Sequence, residues 1–202
     1  QLLFGLTILS WLLLAIPLKL RSHRVSLRNS VYFASIGIGF MAVEVALLQV
    51  MSLYLGHPLY SMAVVLFGLL VASGAGSWMS DRIQPQPVLW SLPLAITAVA
   101  LLHPLAFAWP LTSNAARIGL ALALLLPLGG LMGQPFPMAM QRIQKTHPES
   151  APWCWALNGA TSVLCSVAAT AIALMFGLQA VFALGALAYA AAALSLPATS
   201  LE

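Results

Sequence analysis

VYFASIGIGFMAVEVALLQVMSLYLGHPLYSMAVVLFGLLVASGAGSWMSDR, residues 31–82, decides the fold. Two apolar runs, each long enough to cross about 30 Å of hydrocarbon as a helix, are joined by the tight Gly56-His57-Pro58 turn. The first run carries Glu44 near its middle, and the second closes on Asp81-Arg82. A carboxyl group at bilayer depth costs at least about 3 kcal/mol unless it is paired, hydrated or protonated, which makes Glu44 the first candidate for function.

The rest of the chain has the same character. Of 202 residues, 61% are hydrophobic and 6% charged, with a mean hydropathy of +0.98; soluble domains carry about 25% charged residues. The composition is that of a multi-pass membrane protein and leaves no length for a soluble domain beside a bundle of about six to eight spans. The net charge of +4 comes from basic residues clustered in loops, a topology signal rather than a nucleic-acid-binding face. Cys154 and Cys165 fall within one predicted helix, about 16 Å apart along its axis, too far to pair. The chain opens on Gln1 with no basic n-region before its first apolar run, so a truncated or processed start is expected.

Hydropathy predicts seven spans, at 2–18, 31–55, 59–79, 88–109, 116–139, 152–175 and 178–197. The connections after spans one, three and five hold Lys19, Arg21, Arg24 and Arg28, then Arg82, then Arg142 and Lys145; only Arg117 falls at the opposite face. The positive-inside rule then places the N-terminus outside and the C-terminus in the cytoplasm. Trp78, Trp90, Trp153 and Trp155 fall at the predicted cytoplasmic interface, and Trp109, Tyr54 and Tyr60 at the outer one, as an aromatic belt requires.

Small residues recur every four positions at Gly68, Ala72 and Gly76 and again at Gly129 and Gly133, a spacing that lets helix backbones approach closely. Pro93, Pro104 and Pro127 lie inside spans, where neighbours must satisfy the carbonyls they free, and Pro135-Phe136-Pro137 is expected to end the fifth span. The last span, alanine-rich from Ala190 to Ala193 and without a charged residue, reads as a packing helix only.

Residues 39–61 (GFMAVEVALLQVMSLYLGHPLYS), 74–82 (GAGSWMSDR) and 131–177 (from LMGQPFPMAMQRIQ through APWCWALNGATSVLCSVAATAIALMFG) resemble, in consistent order, the membrane region of bacterial fused major-facilitator/spermidine synthase proteins. The matching positions are Gly39, Phe40, Glu44, Gly56, Tyr60, Gly76, Ser77, Arg82, Met132, Gly133, Phe136, Pro137, Asn158, Gly159 and Ser162. The resemblance implies an all-helical domain, residues 31–200, similar to one half of a major-facilitator transporter, with residues 1–30 adding a helix and a basic loop in front. It also implies that Asp81-Arg82 is a structural cytoplasmic loop, although Ile83-Gln84-Pro85 replaces the Gly-Arg pair usual there. The family's aminopropyltransferase domain has no counterpart in these residues, and Gly74-Ala75-Gly76 follows a membrane helix rather than a strand, so spermidine synthesis by this chain alone is not expected.

The candidate ligand-binding residues are therefore Glu44, Asn158, Trp155 and Tyr60. Glu44 has three readings: it binds a cation or polyamine amine, relays a proton, or is held as a buried acid by donors on another helix, with Asn158 or a serine near it as the expected partner. Asn158 itself reads first as a helix-packing amide and second as a ligand-binding residue. Of the four histidines only His103 lies inside a span, so a bis-histidine haem is not expected, and no HExxH, CxxC or paired-carboxylate spacing points to a metal, another cofactor or a catalytic constellation. The expected function is a non-catalytic membrane domain that binds or moves a small organic cation or anchors a partner enzyme. The alternative is a structural subunit of a larger complex. The expected partners are the lipid bilayer and either a second copy or another membrane chain, with no nucleic acid. The topology is tested by cysteine labelling from outside the cell: probes at 57 or 112 should react and probes at 24, 84 or 145 should not, and the reverse pattern would overturn it.

Overall fold

The computed structural model describes residues 26–196 except Trp109, Pro110 and Thr112, and these form an all-helical bundle without strands. The elements are α1 (Leu27–Leu55), α2 (Pro58–Met79), α3 (Pro85–Phe107), α4 (Asn114–Met132), α5 (Pro135–Thr146), α6 (Ala151–Phe176) and α7 (Leu178–Leu194). Short 3₁₀ turns, Ser80–Arg82 and Pro148–Ser150, lead into α3 and α6. Five long apolar stretches, one of them α4 continued through α5, meet the length and hydropathy needed to cross a membrane, and α7 is a shorter apolar helix of 17 residues. The chain is a multi-pass helical membrane protein. Six of these helices occupy the ranges expected for spans two to seven; the expected span at 2–18 and the basic residues Lys19, Arg21 and Arg24 lie outside the described residues.

Turn chemistry sets the helix ends. Gly56 takes the left-handed conformation, φ +72°, that closes α1, and Pro58 opens α2 at a position where its missing N–H is no loss. Pro135-Phe136-Pro137 behaves differently from expectation. The fifth span stops at Met132, and the two prolines then open a separate helix, because rings at its first turn need no donated N–H. α5 is amphipathic, burying Met138, Ala139 and Ile143 while Gln144 and Lys145 are exposed, so the basic segment expected as a loop is mostly helix.

α1 is the central element. It packs along α6 and α7 and also meets α2 and α4, while α3 lies on α7 and α2 pairs with α4. At one end, Trp153 Nε1 donates to Ser30 Oγ at 3.4 Å, Tyr32 Oη donates to the Pro135 carbonyl at 2.9 Å, and Gln141 donates to Asp81. Arg82 sits 5.4 Å from the Trp78 ring centroid at the same end. At the other end Tyr54 stacks on Phe107, centroids 3.8 Å apart, with the Arg117 guanidinium 5.0 Å from the Tyr54 ring. Tyr54 is therefore a buried tie between α1, α3 and α4 rather than a lipid-facing belt residue, whereas Tyr60 is exposed.

The two small-residue stripes meet each other. A Cβ on Gly76 would collide with the Gly130 carbonyl oxygen, one on Gly133 with the Ser73 backbone, and one on Gly129 would lie 2.9 Å from Ala72 Cβ. Gly68 is looser, with the end of the Leu122 side chain at 3.3 Å. The internal proline of α3 shows how a broken ladder is repaired. Pro104 cannot donate to the Ala100 carbonyl four residues back, and Gln179 Nε2 from α7 donates to that oxygen at 2.9 Å.

Two predictions follow from this packing. Gly76→Ala should destabilise the bundle in detergent by about 1–3 kcal/mol through overpacking, while Gly74→Ala, which meets nothing within 4 Å, should be neutral or gain up to about 1 kcal/mol of helix propensity; equal effects would contradict the α2–α4 contact. Gln179→Leu should cost about 0.6–1.7 kcal/mol in thermal unfolding, and that cost should shrink in a Pro104→Ala background, where the restored N–H takes the carbonyl.

Candidate functional site

A run of half-buried polar side chains lies along the seam between α1 and α6. The two helices run parallel, and a series of α6 side chains meets successive α1 carbonyls. Asn158 Nδ2 reaches Phe33 O at 3.0 Å, Thr161 Oγ1 reaches Ala34 O at 3.3 Å, Ser162 Oγ reaches Gly37 O at 3.4 Å, and Cys165 Sγ reaches Ile38 O at 3.3 Å. These rungs are unequal. Ser162 also lies 2.8 Å from Asn158 O, and Thr161 lies 2.9 Å from Leu157 O. Each hydroxyl has one hydrogen, which goes chiefly to the shorter bond within α6, and a thiol is a weak donor. Asn158 is the one strong donor across this seam, the helix-packing role that was one of its two readings.

The approach depends on Gly37, where an added Cβ would lie 2.6 Å from Asn158 O and 2.7 Å from Thr161 Oγ1. α7 closes the other side of α1 in the same way, with Tyr189 against Gly39 and Val43 against Gly185.

Glu44 stands further along α1, half-buried and, among the described residues, without a hydrogen-bond or ion-pair partner. The expected bond to Asn158 does not form. Both helices start from the same end of the bundle, and Asn158 lies in the second turn of α6, level with the second turn of α1, whereas Glu44 lies in the fifth. Eleven residues separate Phe33 from Glu44, about 16 Å of helix. By the seam's sequence offsets of 125 and 127, the α6 residues level with Glu44 are Ala169, Thr170 and Ala171. Ala169 is buried there while Thr170 and Ala171 are exposed, and the Thr170 hydroxyl donates to Ser166 O at 3.0 Å, so α6 offers Glu44 no polar partner at that depth.

The four candidate ligand residues are not brought to one place. Trp155 is exposed one turn before Asn158 and packs edge-on against Phe136, centroids 4.6 Å apart. Tyr60 lies beside His57 at the far end of α1, separated from Trp155 by most of the length of that helix. Asp81 and Arg82 occupy the tight turn after α2, tied to α5 and to Trp78 respectively. His103 is held within α3 by a contact from Nδ1 to Val99 O at 3.0 Å and packs on Phe182. No group of three or more His, Cys, Asp or Glu among the described residues is placed to hold a metal ion.

Beside the seam lies a crevice of about 120 Å³, bordered by Phe40, Phe136, Asn158, Ser162 and Tyr189. Phe40, Phe136 and Ser162 are among the positions that carry the family resemblance, but their convergence needs the α4–α5 elbow, which hydropathy reads as one span. Tyr189 and Gln179 sit in a helix that reads as packing only, and no spacing distinguishes them. Compared with protein-family models, curated proteins and solved structures, the chain matches none.

Proposed function

We propose that this chain is a non-catalytic membrane domain in which Glu44 is the anionic subsite for a small organic cation. One observation carries the reading. Neighbouring polar groups on α1 and α6 are engaged in helix packing, whereas Glu44, the only carboxylate within the described α-helices, has no partner among the described residues and is not sealed in apolar packing. An unpaired acid at that depth is costly, and a bound cation offsets the cost. The resemblance to the membrane part of the spermidine-synthase-associated proteins makes a polyamine the first ligand to test. The same reading has seven spans, the last six like one half of a major-facilitator transporter, in a bacterial inner membrane with the N-terminus outside and the C-terminus cytoplasmic. A single half of that kind completes a transport path only with a second copy or another chain.

A second reading, a structural subunit or enzyme anchor, is favoured by α6. Only Cys154, Cys165 and Ala169 of its 26 residues are buried, leaving a long outer face with Trp155, Val163, Leu174, Met175 and Phe176 exposed.

The two readings part on one experiment. With Glu44 as cation subsite, spermidine raises the melting temperature of the purified protein in detergent and Glu44→Gln abolishes that rise. If the chain is instead a structural subunit with no cation site, wild type and Glu44→Gln melt alike with or without spermidine, and that result rejects the cation reading.

A further inference from the structure

The crevice beside the seam is lined by Gly37 and Phe40 of α1, Phe136 of α5, Asn158 and Ser162 of α6 and Tyr189 of α7. Ile36, Met132 and Pro135 complete the lining, so three of its nine residues are aromatic and none is basic. Asn158 donates to Phe33 O, so its Oδ1 remains an acceptor, and Ser162 donates within α6 at 2.8 Å, so its oxygen lone pairs remain acceptors too. A lining of aromatic rings and acceptors without a cation suits a positively charged guest, because ring quadrupoles and oxygen lone pairs both attract one. An anion would meet no complementary charge.

Size permits such a guest. A crevice of about 120 Å³ has room for several water molecules and so admits an ammonium group with a few carbons. Position supplies the countercharge. Glu44 follows Phe40 by four residues, one helical turn and about 6 Å along the same side of α1.

We propose that this crevice binds the alkylammonium end of a small organic cation, with Phe40, Phe136 and Tyr189 as its aromatic wall and Glu44 as the counter-ion in the next turn. The proposal rests on the cation reading of Glu44 and adds to it a place and a chemical class: a primary or methylated amine on a short alkyl chain.

The test titrates the full chain in detergent with propylammonium chloride, and in parallel with propan-1-ol as the uncharged analogue, following tryptophan fluorescence and the melting temperature. Trp155 is in edge contact with Phe136, so a guest in the crevice changes its emission. The expected result is saturable binding of propylammonium, none of propan-1-ol, and about tenfold weaker binding in Phe40→Leu, with Phe136→Leu as a second variant should the first fail to fold. If both leucine variants bind as wild type while Glu44→Gln does not bind, the crevice is overturned and the Glu44 reading stands. If propan-1-ol saturates the same signal, charge is not what the crevice reads and the proposal fails. If wild type shows no saturation with propylammonium, the crevice proposal is rejected, and if spermidine also leaves the melting temperature unchanged, the Glu44 reading falls with it.

Discussion

The close parallel contact between α1 and α6, made possible by Gly37 and tied by Asn158, is the constraint on which the rest of the bundle depends. In hydrocarbon the apolar faces of two helices gain nothing from leaving water, so association rests on close van der Waals packing and on hydrogen bonds between helices. At this seam both come from the same few residues. Removing the side chain at position 37 brings an α1 carbonyl row within reach of α6, and the amide of Asn158 uses the free lone pair of Phe33 O. Once α6 is fixed, α1 is enclosed by α6 on one side and α7 on the other. α7 in turn carries α3, through contacts that include the Gln179 bond to the carbonyl freed by Pro104.

That arrangement also explains why Glu44 is left over. The seam's polar ladder ends at Cys165, and at the level of Glu44 α6 carries alanines and a threonine bonded within its own helix. The crevice one turn away from Glu44 presents acceptors and aromatic rings. The polar side chains near the start of α6 thus tie it to α1, whereas Glu44, further along, has no partner among the described residues.

Much of the architecture was legible in the sequence because membrane helices announce themselves by length and hydropathy, and turns by chemistry. Gly56-Pro58 marked the first hairpin, and the stripes at Gly68-Ala72-Gly76 and Gly129-Gly133 marked a close helix contact that proved to be the α2–α4 pairing. The elbow at Pro135 was misread because a helix that stops and restarts after two residues keeps one continuous hydropathy signal. Asn158 was recognised as a helix-packing amide, but its partner was not, since pairing depends on the relative register of two parallel helices, and hydropathy is blind to register. The partners of Gln179 and Tyr54 were hidden for the same reason.

The most direct measurement is the unfolding free energy of Gly37→Ala in detergent, set beside Gly159→Ala on the facing helix, where an added methyl meets nothing within 4 Å. If the α1–α6 seam organises the bundle, Gly37→Ala should lose about 1–3 kcal/mol and Gly159→Ala should lose nothing. A Gly37→Ala protein as stable as the wild type would contradict the account, because a methyl group at that position cannot coexist with the Asn158 contact as described.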